Sequence, residues 1–130
     1  MAILMLSTDL MFASRVSGAA ARIGTTLQTA ATPEMLRERL ATAEPGALVV
    51  IDLTLRAFDP RHWVPQFRQS ANPPSAVLAY GPHVQEGLLA AAAEAGCDEV
   101  FTRGQFNARM DDILARRHAR SHDLPPHHPS

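Results

Sequence analysis

The stretch that decides the fold runs from Ala47 to Leu53 and reads ALVVIDL. A continuous run of small and β-branched apolar residues is typical of a strand buried on both faces, as in the centre of a parallel sheet. Because a charge is costly inside a core, we expect Asp52 to lie at the C-terminal end of this strand. Ligands bind at that end in open α/β sheets, so Asp52 is the first candidate functional residue. A strand-terminal Asp that caps the next loop would have the same pattern.

Strand-like and helix-like segments alternate on both sides of this stretch. Apolar runs of strand length predict four further strands, and helical spacing or helix-start signals predict a helix after each strand. The predicted strands are Ala2–Leu6, Thr25–Ala30, Ser75–Tyr80 and Glu99–Thr102. The predicted helices are Phe12–Ile23, one opened by Thr32 and Pro33, a short one kinked near Pro65, Val84–Ala95 and Phe106–Ala119.

Five β-α repeats joined by right-handed crossovers give a parallel sheet with helices on both faces. The expected architecture is an α/β flavodoxin-like three-layer sandwich with a five-stranded parallel sheet of order 2-1-3-4-5. In that order the ends of strands 1 and 3 are neighbours, so their polar residues meet. The strand-end residues expected to line one crevice are Ser7, Thr8, Asp9, Asp52, Ala79, Tyr80, Thr102 and Arg103.

Composition limits the classes of function. The length of 130 residues predicts one domain, over residues 1–119, followed by a flexible polar tail at 120–130. The net charge of −1 argues against nucleic acid as a partner, and the absence of Lys excludes lysine-based chemistry. One cysteine, Cys97, excludes an internal disulfide and fits a reducing compartment. The apolar opening MAILML is too short for a signal peptide or a span, so we expect a cytoplasmic protein without membrane contact.

The order of four segments resembles the receiver domain of two-component response regulators. These segments are ILMLSTD, LVVIDL, AVLAYG and EAGCDEVFTRGQF, and the resemblance covers residues 2–118. It implies a cytoplasmic bacterial signalling protein with a phosphoacceptor Asp that works with Mg²⁺ in a phosphorelay. Asp52 falls on the phosphoacceptor position. The acidic pair that would hold Mg²⁺ falls on Ser7 and Thr8, with Asp9 one place later.

The remaining functional positions implied by the resemblance are also replaced. Ala79 falls where receivers carry a hydroxyl residue for the phosphoryl group, and Arg103 falls where they carry a lysine. The switching aromatic falls on Val100, with Phe101 one place away on the opposite face. The chain is therefore identified as a divergent, pseudo-receiver type of domain.

These replacements predict a degenerate phosphorylation site. Mg²⁺ prefers about six oxygen ligands, including carboxylates, and phosphoryl transfer depends on that metal and a cation. Asp52 with two hydroxyls and an out-of-register Asp9 is a poor cage, so no cofactor is expected and no metal is assigned. Arg103 could offer its forked donors to a phosphate, but we expect it to pair with Asp52 as a static salt bridge.

The resulting hypothesis is a signalling module without catalytic residues that binds a protein partner independently of phosphorylation. Two alternatives remain open: an active phosphoacceptor at Asp52 that uses Mg²⁺, and a small-ligand binder at the C-terminal edge of the sheet. The expected partner surface, also a possible homodimer interface, combines helix 4, strand 5 and helix 5. Its predicted segments are Val84–Ala95, Glu99–Thr102 and Phe106–Arg117. His118 and His122 are four apart near the His-containing tail, which makes a metal site there a minor alternative.

Overall fold

A computed structural model describes residues 1–123 of the protein, with side chains through residue 120. Five parallel strands form one sheet in the order β2-β1-β3-β4-β5, which confirms the predicted topology. The strands are β1 (Ile3–Leu6), β2 (Leu27–Ala30), β3 (Leu48–Asp52), β4 (Ala76–Gly81) and β5 (Glu99–Thr102). The helices are α1 (Leu10–Arg22), α2 (Pro33–Thr42), α3 (Pro60–Arg68), α4 (Glu86–Glu94), α5 (Arg103–Ala108) and α6 (Met110–Asp123).

The stretch around Asp52 forms the central strand, as predicted. β3 pairs with β1 on one side and with β4 on the other, and all of its residues are buried. In the register between β3 and β4, Asp52 lies opposite Tyr80. The carboxyl ends of β1, β3 and β4 therefore meet at one edge of the sheet.

Two hydrophobic clusters cover the two faces of the sheet. On one face, side chains such as Met5, Val50 and Tyr80 pack against α1, α5 and α6. On the other face, side chains such as Val49 and Ala79 pack against α2, α3 and α4. Because side chains alternate along a strand, this division decides which strand-end residues can meet.

Polar residues in the loops that follow β1, β2 and β3 cap the first three helices. Asp9 caps α1. Thr32 caps α2 and Asp59 caps α3, and in both of these helices the first residue is a proline. Such side chains accept hydrogen bonds from backbone N–H groups that have no partner within the helix. α3 is short, as predicted, and continues through Pro65.

The last helix differs from the sequence prediction. Instead of one helix over Phe106–Ala119, the chain forms α5 and α6 with a break at Arg109, whose φ is −116° and ψ 17°. α5 begins early because Thr102 and Gln105 form a reciprocal capping box. α6 extends to Asp123, past the predicted start of the tail at residue 120, and the rest of the tail lies outside the described residues.

Candidate functional site

Asp52 is buried and bonded by three neutral donors. Its side chain ends the central strand, yet only 3% of the residue is exposed. The Ser7 hydroxyl donates to Oδ2 at 3.0 Å. Thr54 donates to Oδ1 twice, from its backbone N–H at 2.9 Å and from its hydroxyl at 2.6 Å. Both carboxylate oxygens therefore have partners from the protein itself, which offsets much of the cost of burying the charge.

Ser7 joins the central strand to the start of α1. It follows β1, is 5% exposed, and its Oγ accepts the backbone N–H of Asp9 at 3.0 Å while donating to Asp52. One hydroxyl thus satisfies a buried carboxylate and a backbone donor of the turn. The predicted neighbourhood of Ser7, Asp9 and Asp52 is present.

Asp9 and Arg103 form an ion pair at the rim, which we call the rim clasp. Asp9 Oδ1 accepts the Phe12 N–H at 3.0 Å, and Oδ2 accepts from Arg103 at 2.9 Å. The Phe12 N–H, followed by the Arg103 guanidinium, holds the pKa of the Asp9 carboxyl below its usual value. The guanidinium carbon also lies 4.3 Å from the centroid of the Phe12 ring. Because β3 and β4 separate β1 from β5, the rim clasp spans the ends of two strands.

The expected pairing of Arg103 with Asp52 is wrong. Among the side chains of residues 1–120, the ion pair of Arg103 is with Asp9, and the partners of Asp52 are Ser7 and Thr54. Arg103 starts a helix at the exposed rim, whereas Asp52 lies below it among neutral donors. The nearer rim carboxylate, which also caps α1, takes the cation.

Three other predicted positions lie away from this cluster. Thr8 is exposed. Ala79 packs in the cluster on the opposite face of the sheet from Tyr80, so its side chain does not share the crevice. Val100 also packs on that opposite face, whereas Phe101 packs beside Tyr80, as the predicted alternation requires.

Tyr80 occupies the space beside Asp52. It is 1% exposed, and its ring stacks on Phe106 with centroids 5.1 Å apart and lies 5.0 Å from Phe12. Burial, followed by the charge of Asp52, raises the pKa of the phenol. Within the described residues its hydroxyl has no hydrogen-bond partner that meets normal geometry. An aromatic side chain thus fills the crevice from the α1 side.

Thr54 and the packing role of Tyr80 are what the sequence interpretation missed. Thr54 stands two residues after Asp52, and that D-x-T spacing is typical of an Asx-type turn. The face occupied by Tyr80 follows from alternation along β4, but its position opposite Asp52 depends on a register that only pairing decides.

A pocket of about 280 Å³ lies at the rim beside the rim clasp. Its lining residues are Asp9, Met11, Phe12, Arg15 and Arg103, and Asp52 is not among them. Among residues 1–120, whose side chains the structure describes, there is no group of three or more His, Cys, Asp or Glu arranged for a metal ion, and the His122 side chain of the minor metal-site alternative lies outside that range. No helix within residues 1–123 is long and apolar enough to cross a membrane.

Comparison with known proteins identifies the fold through structure and not through sequence. No family model and no curated protein matches the chain. The fold is similar to a receiver domain of a sensor histidine kinase from Pseudomonas aeruginosa PAO1, solved with magnesium in its active-site cleft. That match has a TM-score of 0.73 and 15% identity, covering 88% of this chain and 94% of that one.

Two further structures show the same likeness. A signal receiver domain of a response regulator from Bermanella marisrubri has a TM-score of 0.75 and 21% identity, covering 88% of this chain and 95% of that one. The beryllofluoride-activated NtrC4 receiver domain dimer has a TM-score of 0.69 and 14% identity, covering 89% of this chain and 98% of that one. Together with the strand order and the strand-end crevice, these likenesses establish that the chain has the fold of response regulator receiver domains.

Proposed function

We propose that the protein is a receiver-like signalling module of the cytoplasm whose phosphorylation site is degenerate and which acts by binding a protein partner. The observation that carries this proposal is the environment of Asp52. A buried hydroxyl, Ser7, bonds the carboxylate where receivers carry an acidic Mg²⁺ ligand. The signal then does not depend on phosphate, and the domain has no catalytic role.

The residues present do not fit Mg²⁺. The ion takes about six oxygen ligands in strict octahedral geometry and is usually bound through carboxylates and phosphate. Here each Asp52 oxygen accepts from Ser7 or Thr54, and each Asp9 oxygen accepts from Phe12 or Arg103. A metal ion would have to displace these donors, so we infer no cofactor.

The phosphoryl position also lacks its usual support. The cation that would neutralise a phosphoryl group is paired with Asp9 at 2.9 Å. The Tyr80 ring packs against Phe12 and Phe106, and Tyr80 lies opposite Asp52 in the register between β3 and β4. Both features favour a single conformation of the crevice.

Phosphorylation chemistry provides the direct test. We expect no change in mass after incubation with acetyl phosphate and Mg²⁺, for the wild type and for Asp52→Asn alike. Retention of Asp52 favours the alternative, an active phosphoacceptor. A phosphoryl adduct on the wild type that is absent from Asp52→Asn would overturn the degenerate-site proposal and establish that alternative.

The face formed by α4, β5 and the consecutive helices α5 and α6 is the proposed partner surface. Leu88 and Leu89 on α4 are only partly buried, and Val84 just before it is 75% exposed. Because Val100 replaces the switching aromatic on this face, we infer that the surface holds one conformation. A protein in one state binds specifically without being toggled by a ligand.

Variants of this face and of the crevice separate the two modes of control. We expect Glu94→Arg to weaken partner binding, with Arg61→Ala as the control for loss of the Glu94–Arg61 pair at 3.0 Å, while Asp52→Asn leaves binding unchanged. Arg109, the second residue predicted on this face, lines a hollow with Ser14 and Gly18 of α1 instead. The measurement is partner capture by each purified variant, with folding checked by circular dichroism. Loss of binding in Asp52→Asn alone would contradict a partner surface that holds one conformation independently of the crevice. A homodimer through the same face stays a prediction, which light scattering on Glu94→Arg tests.

A further inference from the structure

The β2 strand and the segments on either side of it carry no charged residue. β2 reads LQTA, and Ala30 is its one buried residue. From Ile23 to Pro33 the sequence carries no charged residue, and within β2 it carries no proline. Natural proteins protect exposed strand edges with charged side chains, proline or bulges, because unpaired backbone groups pair with other chains. Apart from being short, β2 has none of these protections.

The opposite edge of the sheet is protected in several ways. Glu99 in β5 accepts from both Arg116 and Arg117 of α6, with the shortest contact at 2.6 Å. Just before β5, Asp98 accepts from Arg68 at 2.5 Å and from the Val77 N–H at 2.7 Å. Charged side chains and a helix therefore lie against β5. The two edges of the sheet differ in how readily they can pair with a strand of another chain.

The hydrogen bonds of β2 define which of its backbone groups point outward. Ile3 and Ser7 donate from their N–H groups to the carbonyls of Thr26 and Ala30. Because backbone groups alternate sides along a strand, the N–H and C=O groups of Leu27 and Thr29 point away from β1. The edge thus presents two donors and two acceptors without partners in the sheet.

We propose that β2 pairs antiparallel with β2 of a second copy of this chain, around a two-fold axis at Gln28. Leu27 of each copy then lies opposite Thr29 of the other, and each such pair exchanges two backbone hydrogen bonds. The two Gln28 residues face each other across the axis in a non-hydrogen-bonded pair, where side chains approach closely. The spacing of Leu27 and Thr29 about Gln28 makes the edge self-complementary.

The side-chain surroundings of Gln28 fit a polar occupant without an excess of either charge. Gln28 pairs with Leu4 on the α2 side of the sheet and lines an open hollow of about 430 Å³. Thr25, Thr26 and Thr42 line the same hollow, and so do Arg39 and Glu44, which carry opposite charges. Amide and hydroxyl groups here are matched by those of an identical edge, and β2 itself places no like charges across the axis. Because four residues per copy form a small interface, we expect a weak, concentration-dependent dimer.

A charge swap at the axis tests this geometry. Gln28→Lys and Gln28→Glu each place like charges across the axis, so each alone should weaken self-association by about 10-fold or more at low salt. An equimolar mixture of the two should associate at least as well as the wild type, because opposite charges then meet. The measurement is sedimentation velocity up to about 1 mM protein, a concentration that detects a Kd of that order.

A backbone variant gives an independent readout. Thr29→Pro removes an outward N–H without touching the β1–β2 ladder and should leave the protein monomeric, whereas Thr29→Val should retain the dimer. Circular dichroism and Tm establish that both variants fold. A wild type that stays monomeric throughout, or variant mixtures that fail to associate while the wild type does, would overturn the proposal. A dimer lost in Glu94→Arg but kept in Gln28→Lys would assign it to the α4 face instead.

Discussion

The two carboxylates of the site, Asp52 and Asp9, are held in opposite ways. Asp52 lies below the rim, 3% exposed, and its partners are the neutral donors of Ser7 and Thr54. Asp9 lies at the rim, where a helix N-terminus and a guanidinium compensate its charge in contact with water. When a neutral donor in the interior is removed, its acceptor is left desolvated and without a hydrogen bond. When an ion at the surface is removed, water takes its place. The buried half should therefore control the stability of the site.

The largest effect should come from Ser7→Ala. This change leaves Asp52 Oδ2 and the Asp9 N–H without their partner, and should lower the free energy of unfolding by about 2 to 3 kcal/mol. Chemical denaturation measures it, with Thr8→Ala as the exposed neighbouring control, expected within about 0.5 kcal/mol of the wild type. Equal effects of the two variants would remove the distinction between buried and rim positions.

Thr54→Val should have an intermediate effect. The valine keeps the shape of threonine and the backbone N–H bond, but it loses the 2.6 Å hydroxyl bond to Asp52. We expect the free energy of unfolding to fall by about 1 kcal/mol, less than for Ser7→Ala because Thr54 is exposed. Thr54→Ser retains the hydroxyl and should lie closer to the wild type. If Ser and Val at this position behave alike, the hydroxyl bond contributes nothing.

The rim clasp should contribute a smaller, pH-dependent effect. The folded pKa of Asp9 lies below its usual value of 3.8, so its stabilisation is present above that pH and is lost as the pH falls through the folded pKa. Asp9→Asn keeps a cap acceptor and removes the charge. The Tm difference between wild type and Asp9→Asn should therefore be largest near neutral pH. It should become smaller in acid and in high salt. A difference independent of pH would contradict the ion pair with Arg103.

Tyr80→Phe should have the smallest effect of all. The stacking on Phe106 is retained and the lost hydroxyl has no partner of normal geometry among the described residues. We expect a change within about 0.5 kcal/mol, or a slight stabilisation, because a buried unpaired hydroxyl is removed. Destabilisation comparable to Ser7→Ala would show that the phenol bonds to Ser7 and extends the buried network.

Local sequence patterns were sufficient for the order of the strands, for the helices between them and for the position of Asp52, but not for the break between α5 and α6. The run ALVVIDL is apolar on both sides of a strand, so it has to be buried on both faces of the sheet. Capping residues such as Asp9 and Thr32 bond backbone groups only a few residues away. β-α alternation with one handedness of crossover then leaves few strand orders. These signals depend on residues that are near in sequence, so they can be interpreted without knowing which distant residues are in contact.

Tertiary structure alone decided how the strand ends meet. Whether Arg103 reaches Asp52 or Asp9 depends on how far α5 stands from β3, and whether Ala79 or Tyr80 shares the crevice depends on strand register. A shift of one residue moves a side chain to the other face, and nothing in the local sequence sets that shift. The sequence thus determined which residue types stand at the sheet edge, and packing across the sheet determined which of them became partners.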